Sequence, residues 1–190
     1  MITAENLSKR YGEKQVLSNL SFEIADRHKV VIAGESGKGK TTLLRLICGI
    51  ERPDSGILRG YDKKNISYVF QEHRLLPWEN ALENVIAPSG KEKTGEARSL
   101  LAELELENDL EKYAAELSGG MRQRVSIARA LLYGRDILLL DEPFSALDQR
   151  IKTLTASVIN KYSENKTVLL ISHGKDDADM LFGQYTVIQI

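Results

Sequence analysis

Apolar positions along this chain fall into short continuous runs and into stripes at helical spacing. Lys29-Val30-Val31-Ile32-Ala33 reads as a buried strand, and Leu43, Leu46, Ile47 and Ile50 follow at the spacing of one helix face. Asp136 to Leu140 and Thr167 to Ile171 are two further unbroken runs, the pattern of parallel strands covered on both faces. Ile2 to Leu7 and Val16 to Ile24 alternate in part and read as two strands around a polar turn, Lys9 to Lys14. Shorter strands are expected near Ile57 to Arg59, from Ile66 to Phe70 and from Tyr185 to Ile190. Helical spacing covers Glu79 to Ile86, then Ala97, Leu100, Leu101 and Leu104, then Val125, Ala128 and Leu132, then Ile151 to Tyr162 and Lys175 to Leu181. Pro88-Ser89-Gly90 stops the first of these, and Lys91 to Gly95 reads as polar linker. The acidic series Glu103, Glu105, Glu107, Asp109 and Glu111 reads as a solvated face. Strands alternating with helices predict an α/β fold with a mainly parallel central sheet, an N-terminal antiparallel β subdomain and an inserted helical subdomain.

Composition narrows the partners. The 190 residues suit one domain, and 42% hydrophobic content supplies a sizeable core. A net charge of −1 gives no global basic field, so no nucleic-acid partner is expected. Cys48 is the single cysteine, which excludes an internal disulfide, and it reads as a small core residue. No stretch approaches the ~20 apolar residues that span a bilayer, and the N-terminus lacks the pattern of a signal peptide. A cytoplasmic protein is therefore expected, with any membrane attachment made through a partner.

The candidate chemistry centres on Gly34-Glu35-Ser36-Gly37-Lys38-Gly39-Lys40-Thr41-Thr42, set between the strand ending at Ala33 and the stripe from Leu43. Strand, glycine-rich loop, Lys-Thr and helix is the context of a phosphate-binding P-loop. Its backbone N–H groups and helix N-terminus suit phosphate oxygens. Lys40 can reach the β- and γ-phosphates, and the Thr41 hydroxyl can ligate Mg²⁺. Lys38 reads as solvent-facing. Asp141-Glu142 closes a buried strand, where carboxylates are costly without a use. In a P-loop protein Asp141 can hold the Mg²⁺ shell and Glu142 can take a proton from an attacking water. Gln71, Asp141 and His173 all stand at strand ends, where open parallel sheets form their ligand crevice. Tyr11 has two readings, a turn aromatic or a stacking platform for a base. Ser118 reads as the N-cap of a helix beginning Gly119-Gly120. Leu75, Leu76 and Trp78 lie in a loop among charges, as the edge of a small core or as a docking surface.

Gly34–Thr42, Gln71, Leu117–Met121, Ile137–Pro143, Ser145–Asp148 and His173, in this order, resemble the ATP-binding cassette (ABC) ATPase family. The resemblance covers nearly the whole chain. It implies one ABC ATPase domain over residues 1–190, with residues 1–71 and 134–190 as the P-loop core and about 72–133 as a helical signature subdomain. It implies ATP bound by Gly34 to Thr42, Tyr11 stacked on adenine, and Mg²⁺ contacted by Thr41, Gln71 and Asp141. Glu142 would be the general base and His173 would contact the γ-phosphate, with Lys40 as the third catalytic group. Members act as head-to-tail pairs, so Ser118, Gly119 and Gly120 would close on ATP held by a second subunit, with Asp148 communicating across the interface. Val69 to Trp78 followed by Asn84-Val85 is similar to importers of the nitrate, sulfonate, taurine and thiamine-precursor group. On that resemblance Leu75, Leu76 and Trp78 receive a transmembrane permease, itself served by a solute-binding protein. Lys38 and Gly174 depart from the usual family pattern. An exporter or lipid-extraction ATPase, a non-transport cassette and a non-hydrolysing scaffold are the competing functions.

Overall fold

The structure is a computed structural model that describes residues 1–172 and 175–190. Two sheets organise it. Strands β1 (Ile2–Tyr11), β2 (Lys14–Ile24) and β4 (Ser55–Arg59) form an antiparallel sheet in the order β2-β1-β4. Strands β3 (Lys29–Ala33), β5 (Ile66–Val69), β6 (Ile137–Asp141), β7 (Thr167–Ile171) and β8 (Thr186–Gln189) form a second sheet in the order β5-β6-β7-β3-β8. Every neighbouring pair in it is parallel. Helix α1 (Lys40–Ile47) follows β3. Helices α2 (Ala81–Ile86), α3 (Thr94–Glu103) and α4 (Gly119–Tyr133) lie between β5 and β6, and α5 (Gln149–Ser163) and α6 (Lys175–Phe182) complete the crossovers.

The parallel sheet is buried on both faces, and the period of two divides its side chains between two cores. Val31, Leu138, Leu140, Val168 and Leu170 enter one core with apolar residues of α2 to α6. Val30, Ile32, Leu139, Leu169 and Ile171 enter the other with α1 and the antiparallel sheet. The sheet is thus fixed from both sides, and its C-terminal edge becomes a rigid rim.

Several sequence expectations change. The polar turn contracts to Gly12-Glu13, because Lys9 to Tyr11 pair with β2 through Leu17, Gln15 and Lys14, with Arg10 and Tyr11 exposed and Lys9 bonded to Arg52 and Asp54. The stripe after the glycine-rich loop stops at Ile47: Gly49 takes φ +78 and ends the helix, which leaves Ile50 54% exposed. Residues Lys91–Lys93 form a 3₁₀ turn running into α3, so the linker is helical. The face of α4 is wider than Val125, Ala128 and Leu132, since Ile127 and Leu131 are buried while Leu132 is only half-buried. Cys48 caps α1 and is half-buried against the second core. Nor is the acidic series wholly solvated. Glu103 accepts from Lys161 and Tyr162, and Glu105 accepts both Arg150 nitrogens at 2.6 and 2.7 Å, which ties the end of α3 to α5.

Asn84 is fully buried on α2 and organises the loop before it. Its Oδ1 accepts from the Leu76 N–H at 2.7 Å, and its Nδ2 donates to the carbonyls of Leu76, Glu79 and Asn80 at 3.0 to 3.1 Å. Apolar replacement strands these groups away from water, at about 1–3 kcal/mol for each unsatisfied buried group. Asn84→Leu is expected to cost about 3 kcal/mol and to lower Tm by about 6–12 °C in a scanning-calorimetry trace. A shift under about 2 °C would show that water replaces the side chain in this role.

Candidate functional site

The glycine-rich loop leaves the C-terminal end of β3 and turns into α1 at Gly39, which takes φ +98. A Cβ there would meet the Val16 carbonyl at 2.7 Å, so the position requires glycine. Among the described residues no side chain caps α1, and no acidic residue occupies its first turn. Its first N–H groups therefore face the loop without a protein anion, the arrangement that suits phosphate. Lys40 is 8% exposed, and its Nζ donates to the carbonyls of Gly34 at 2.7 Å and Glu35 at 2.9 Å. The ammonium thus closes the loop on itself at its centre. Lys38 points outward, 3.7 Å from the Glu35 carboxylate, in line with its solvent-facing reading.

Thr41, the next residue, reaches across to β6. Its hydroxyl donates to Asp141 Oδ1 at 3.3 Å, while the Tyr68 hydroxyl of β5 donates to Asp141 Oδ2 at 3.2 Å. Asp141 is buried at the last position of β6. Burial pushes its carboxyl above the usual range, the neighbouring Glu142 adds to this, and the two hydroxyl donors oppose it. Tyr68 is likewise raised, by burial first and then by the charge of Asp141. Its ring stacks on Phe70 with centroids 4.0 Å apart, and the Arg74 guanidinium lies 4.2 Å above Phe70.

Glu142 follows immediately with φ +51, a left-handed conformation uncommon outside glycine. The fold holds it there, since its N–H donates to the Ile171 carbonyl at 2.9 Å and its carbonyl accepts from Ser145 at 3.3 Å. Its carboxylate accepts from Gln71 Nε2 at 3.3 Å. Ser36, Gly37, Gly39 to Thr42, Gln71 and Glu142 line a cleft of about 220 Å³ together with Val16. Five residues from three stretches of sequence, Lys40, Thr41, Gln71, Asp141 and Glu142, are brought to one rim of the parallel sheet. His173 and Gly174 lie outside the described residues.

Tyr11 ends β1 and is 44% exposed, with its hydroxyl donating to Glu51 and lying 3.5 Å from Thr42 Oγ1. Residues 118–120 are not among the lining of the cleft. Ser118 caps α4, accepting from the Met121 N–H at 3.3 Å. The Gly120 position is close to the Ala146 carbonyl, 3.0 Å from where a Cβ would stand. Asp148 caps α5 by accepting from Ile151 at 3.0 Å. Leu75 packs against the larger core and Leu76 is half-buried, so of the three apolar loop residues only Trp78, at 69%, is largely exposed.

Sequence reasoning passed over Tyr68, Glu51 and Arg129. Arg129 of α4 donates to the carbonyls of His73 at 2.9 Å and Arg74 at 2.8 Å, and so anchors the stretch after Gln71 to α4. An arginine on a largely apolar helix was the available signal. Tyr68 carried none, because a tyrosine in a strand is ordinary.

The donor set fits Mg²⁺. A hydroxyl, one carboxylate and a side-chain amide are hard ligands, few enough to leave room for water and substrate phosphates. Asp141 is also a buried carboxylate whose hydrogen-bond donors are two neutral hydroxyls, so its charge suits a cation.

The profile of the ABC transporter family matches residues 17–145. The aliphatic sulfonates import ATP-binding protein SsuB 1 of Burkholderia lata is 39% identical over 99% of this chain and 61% of its own length. That of Paraburkholderia xenovorans is 38% identical over 99% of this chain and 57% of its own length. SsuB of Granulibacter bethesdensis is 38% identical over 100% of this chain and 80% of its own length. The chain thus spans about three fifths of the length of the first two relatives. A dimeric ATP-binding cassette in a post-hydrolysis state, bound to ADP and Pi, superposes with a TM-score of 0.86 at 32% identity, over 95% of this chain and 91% of that one. A bacterial ABC exporter with ATP bound gives 0.85 at 25% identity, over 93% of this chain and 35% of that one. Among the described residues no helix is long and apolar enough to cross a membrane.

Proposed function

The chain belongs to the ABC transporter family, and from that premise we propose that it hydrolyses ATP to energise solute import through a membrane permease. The observation that carries this is the meeting of Lys40, Thr41, Gln71, Asp141 and Glu142 at one sheet rim beside an uncapped helix N-terminus. A binding scaffold has no need of a carboxylate held toward the cleft in a left-handed conformation. A hydrolase does, because water must be oriented and deprotonated for in-line attack. The kinship with sulfonate importers supports import, and with it a cytoplasmic placement on the inner face of the membrane.

The chain's residues divide the work. Gly34 to Thr42 cradle the triphosphate, and Lys40 exchanges its loop carbonyls for phosphate oxygens. Tyr11 offers its ring to the adenine. Glu142 takes the proton of the attacking water, and His173 contacts the terminal phosphate. Thr41, Asp141 and Gln71 would hold Mg²⁺, which when bound supplies charge neutralisation on the phosphate oxygens. Ser118, Gly119 and Gly120 of a second subunit cover the nucleotide in a head-to-tail pair, with Asp148 at that interface. Residues 1–71 and 134–190 act as the core and about 72–133 as the helical part, pinned to the nucleotide side through Gln71 and Arg129. Trp78, with Leu75 and Leu76 behind it, faces the permease, which a solute-binding protein serves in turn.

The test is phosphate release together with co-purification from the native membrane. The expected result is Mg²⁺-dependent release and retention of an integral membrane protein. Retention of ribosomes or DNA, or absence of release from the intact complex, would overturn the proposal.

A further inference from the structure

Tyr11 is held at a fixed place by a residue that no part of the function above uses. Its hydroxyl donates to the Glu51 carboxylate and lies 3.5 Å from Thr42 Oγ1. Glu51 is fixed in turn. Its N–H donates to the Arg45 carbonyl at 3.1 Å, and its carboxylate stands 3.5 Å from Arg45 Nη1. Arg45 belongs to α1, the helix whose N-terminus carries Lys40 and Thr41. The aromatic ring, which comes from the antiparallel sheet, is therefore tied at its polar tip to the helix that binds phosphate. Lys9 Nζ, 5.7 Å from the ring centroid, also pairs with Asp54, so the strand end is braced a second time.

Two features make the tether more than packing. Tyr11 remains 44% exposed, so burial does not immobilise it. A half-exposed aromatic at a strand end would otherwise sample several rotamers. A base binds tightly only if the ring is already where the triphosphate places the adenine. A link to α1 fixes that spacing.

We propose that Glu51 is a positioning residue for the nucleotide base, which holds the Tyr11 ring at a set distance from the phosphate loop through α1. The proposal rests on the reading of Tyr11 as the base platform.

The test compares two probes on the full chain by isothermal titration calorimetry. ATP reports the base and phosphates together, and inorganic tripolyphosphate reports the phosphate loop alone. Glu51→Ala is expected to weaken ATP binding about fivefold and to leave tripolyphosphate within about twofold. Tyr11→Phe keeps the ring, loses the tether and is expected to match it. Glu51→Gln keeps an acceptor for the phenol and is expected to restore ATP affinity to within about twofold of the parent chain. The double variant Glu51→Ala with Tyr11→Phe is expected to be no weaker than either single one, because both remove the same contact. Equal losses for ATP and tripolyphosphate would overturn the proposal, since Glu51 would then act on α1 itself. Full ATP affinity in Tyr11→Phe would overturn it too, and that variant decides if Glu51→Ala fails to fold. Tyr11→Ala separates the two readings: weakened ATP binding there beside normal Tyr11→Phe removes only the tether, whereas normal binding in Tyr11→Ala removes the platform itself.

Discussion

Glu142→Gln is expected to lower ATP turnover by about a thousandfold while ATP affinity stays within about twofold. The substitution keeps size and shape and removes the charge and with it the capacity to accept a proton. The backbone contacts that hold position 142, to Ile171 and Ser145, do not involve the side chain. Tm should therefore move by less than about 2 °C. The pairing with Gln71 at 3.3 Å can be kept by an amide oxygen, so the cleft should retain its form. A nucleotide that binds but is not consumed accumulates in the closed pair, if a second subunit completes the enclosure. Size-exclusion chromatography with ATP should then shift the variant, and not the parent chain, to a dimer. Turnover within tenfold of the parent would remove Glu142 from the role of base. Lost turnover with a monomeric, nucleotide-loaded variant would instead break the head-to-tail reading of Ser118 to Gly120.

The rim of the parallel sheet was legible because its signals are local. A continuous apolar strand followed at once by Gly-rich loop or carboxylates says both where the chain runs and where it emerges. β3 with Lys40 and β6 with Asp141 are of this kind, and both sit at the C-terminal edge as expected. The Ser118 cap was legible for the same reason, since a cap bonds three residues along its own chain.

Most of what escaped was set by contacts distant in sequence, and one part by a local helix stop. Glu103 and Glu105 look solvated from their neighbours, and only the approach of α5 supplies Lys161 and Arg150. Ile50 continues an apolar spacing, yet Gly49 ends the helix before that spacing can matter. The Tyr68 and Thr41 hydroxyls meet on Asp141 from elements separated by 73 and 100 positions. Period and propensity carry no information on such meetings. The buried Asn84 is an intermediate case. A polar residue among Ala81, Leu82, Val85 and Ile86 signals a role, and the role itself needs the preceding loop to be folded against it.

Lys40→Ala is expected to raise the dissociation constants of ATP and of tripolyphosphate by about a hundredfold each. The reason lies in the partners of Nζ. It donates to the Gly34 and Glu35 carbonyls and so draws the glycine-rich loop around a single positive charge. Phosphate oxygens can replace those carbonyls as acceptors, and an anion gains more from an ammonium than a neutral carbonyl does. Alanine removes this gain and also the contact that keeps the loop closed. Two losses are thus predicted, and they separate by measurement. Loop closure appears in the ligand-free protein as a fall in Tm of about 4–8 °C, for about 2 kcal/mol of lost charged hydrogen bonds. Phosphate binding appears in calorimetry at a temperature where both proteins are folded. Lys40→Arg keeps charge but carries it on a longer planar group, so it should retain most of the Tm and little of the affinity. A variant with lowered Tm and ATP affinity within about threefold of the parent would make Lys40 a staple of the loop and no more.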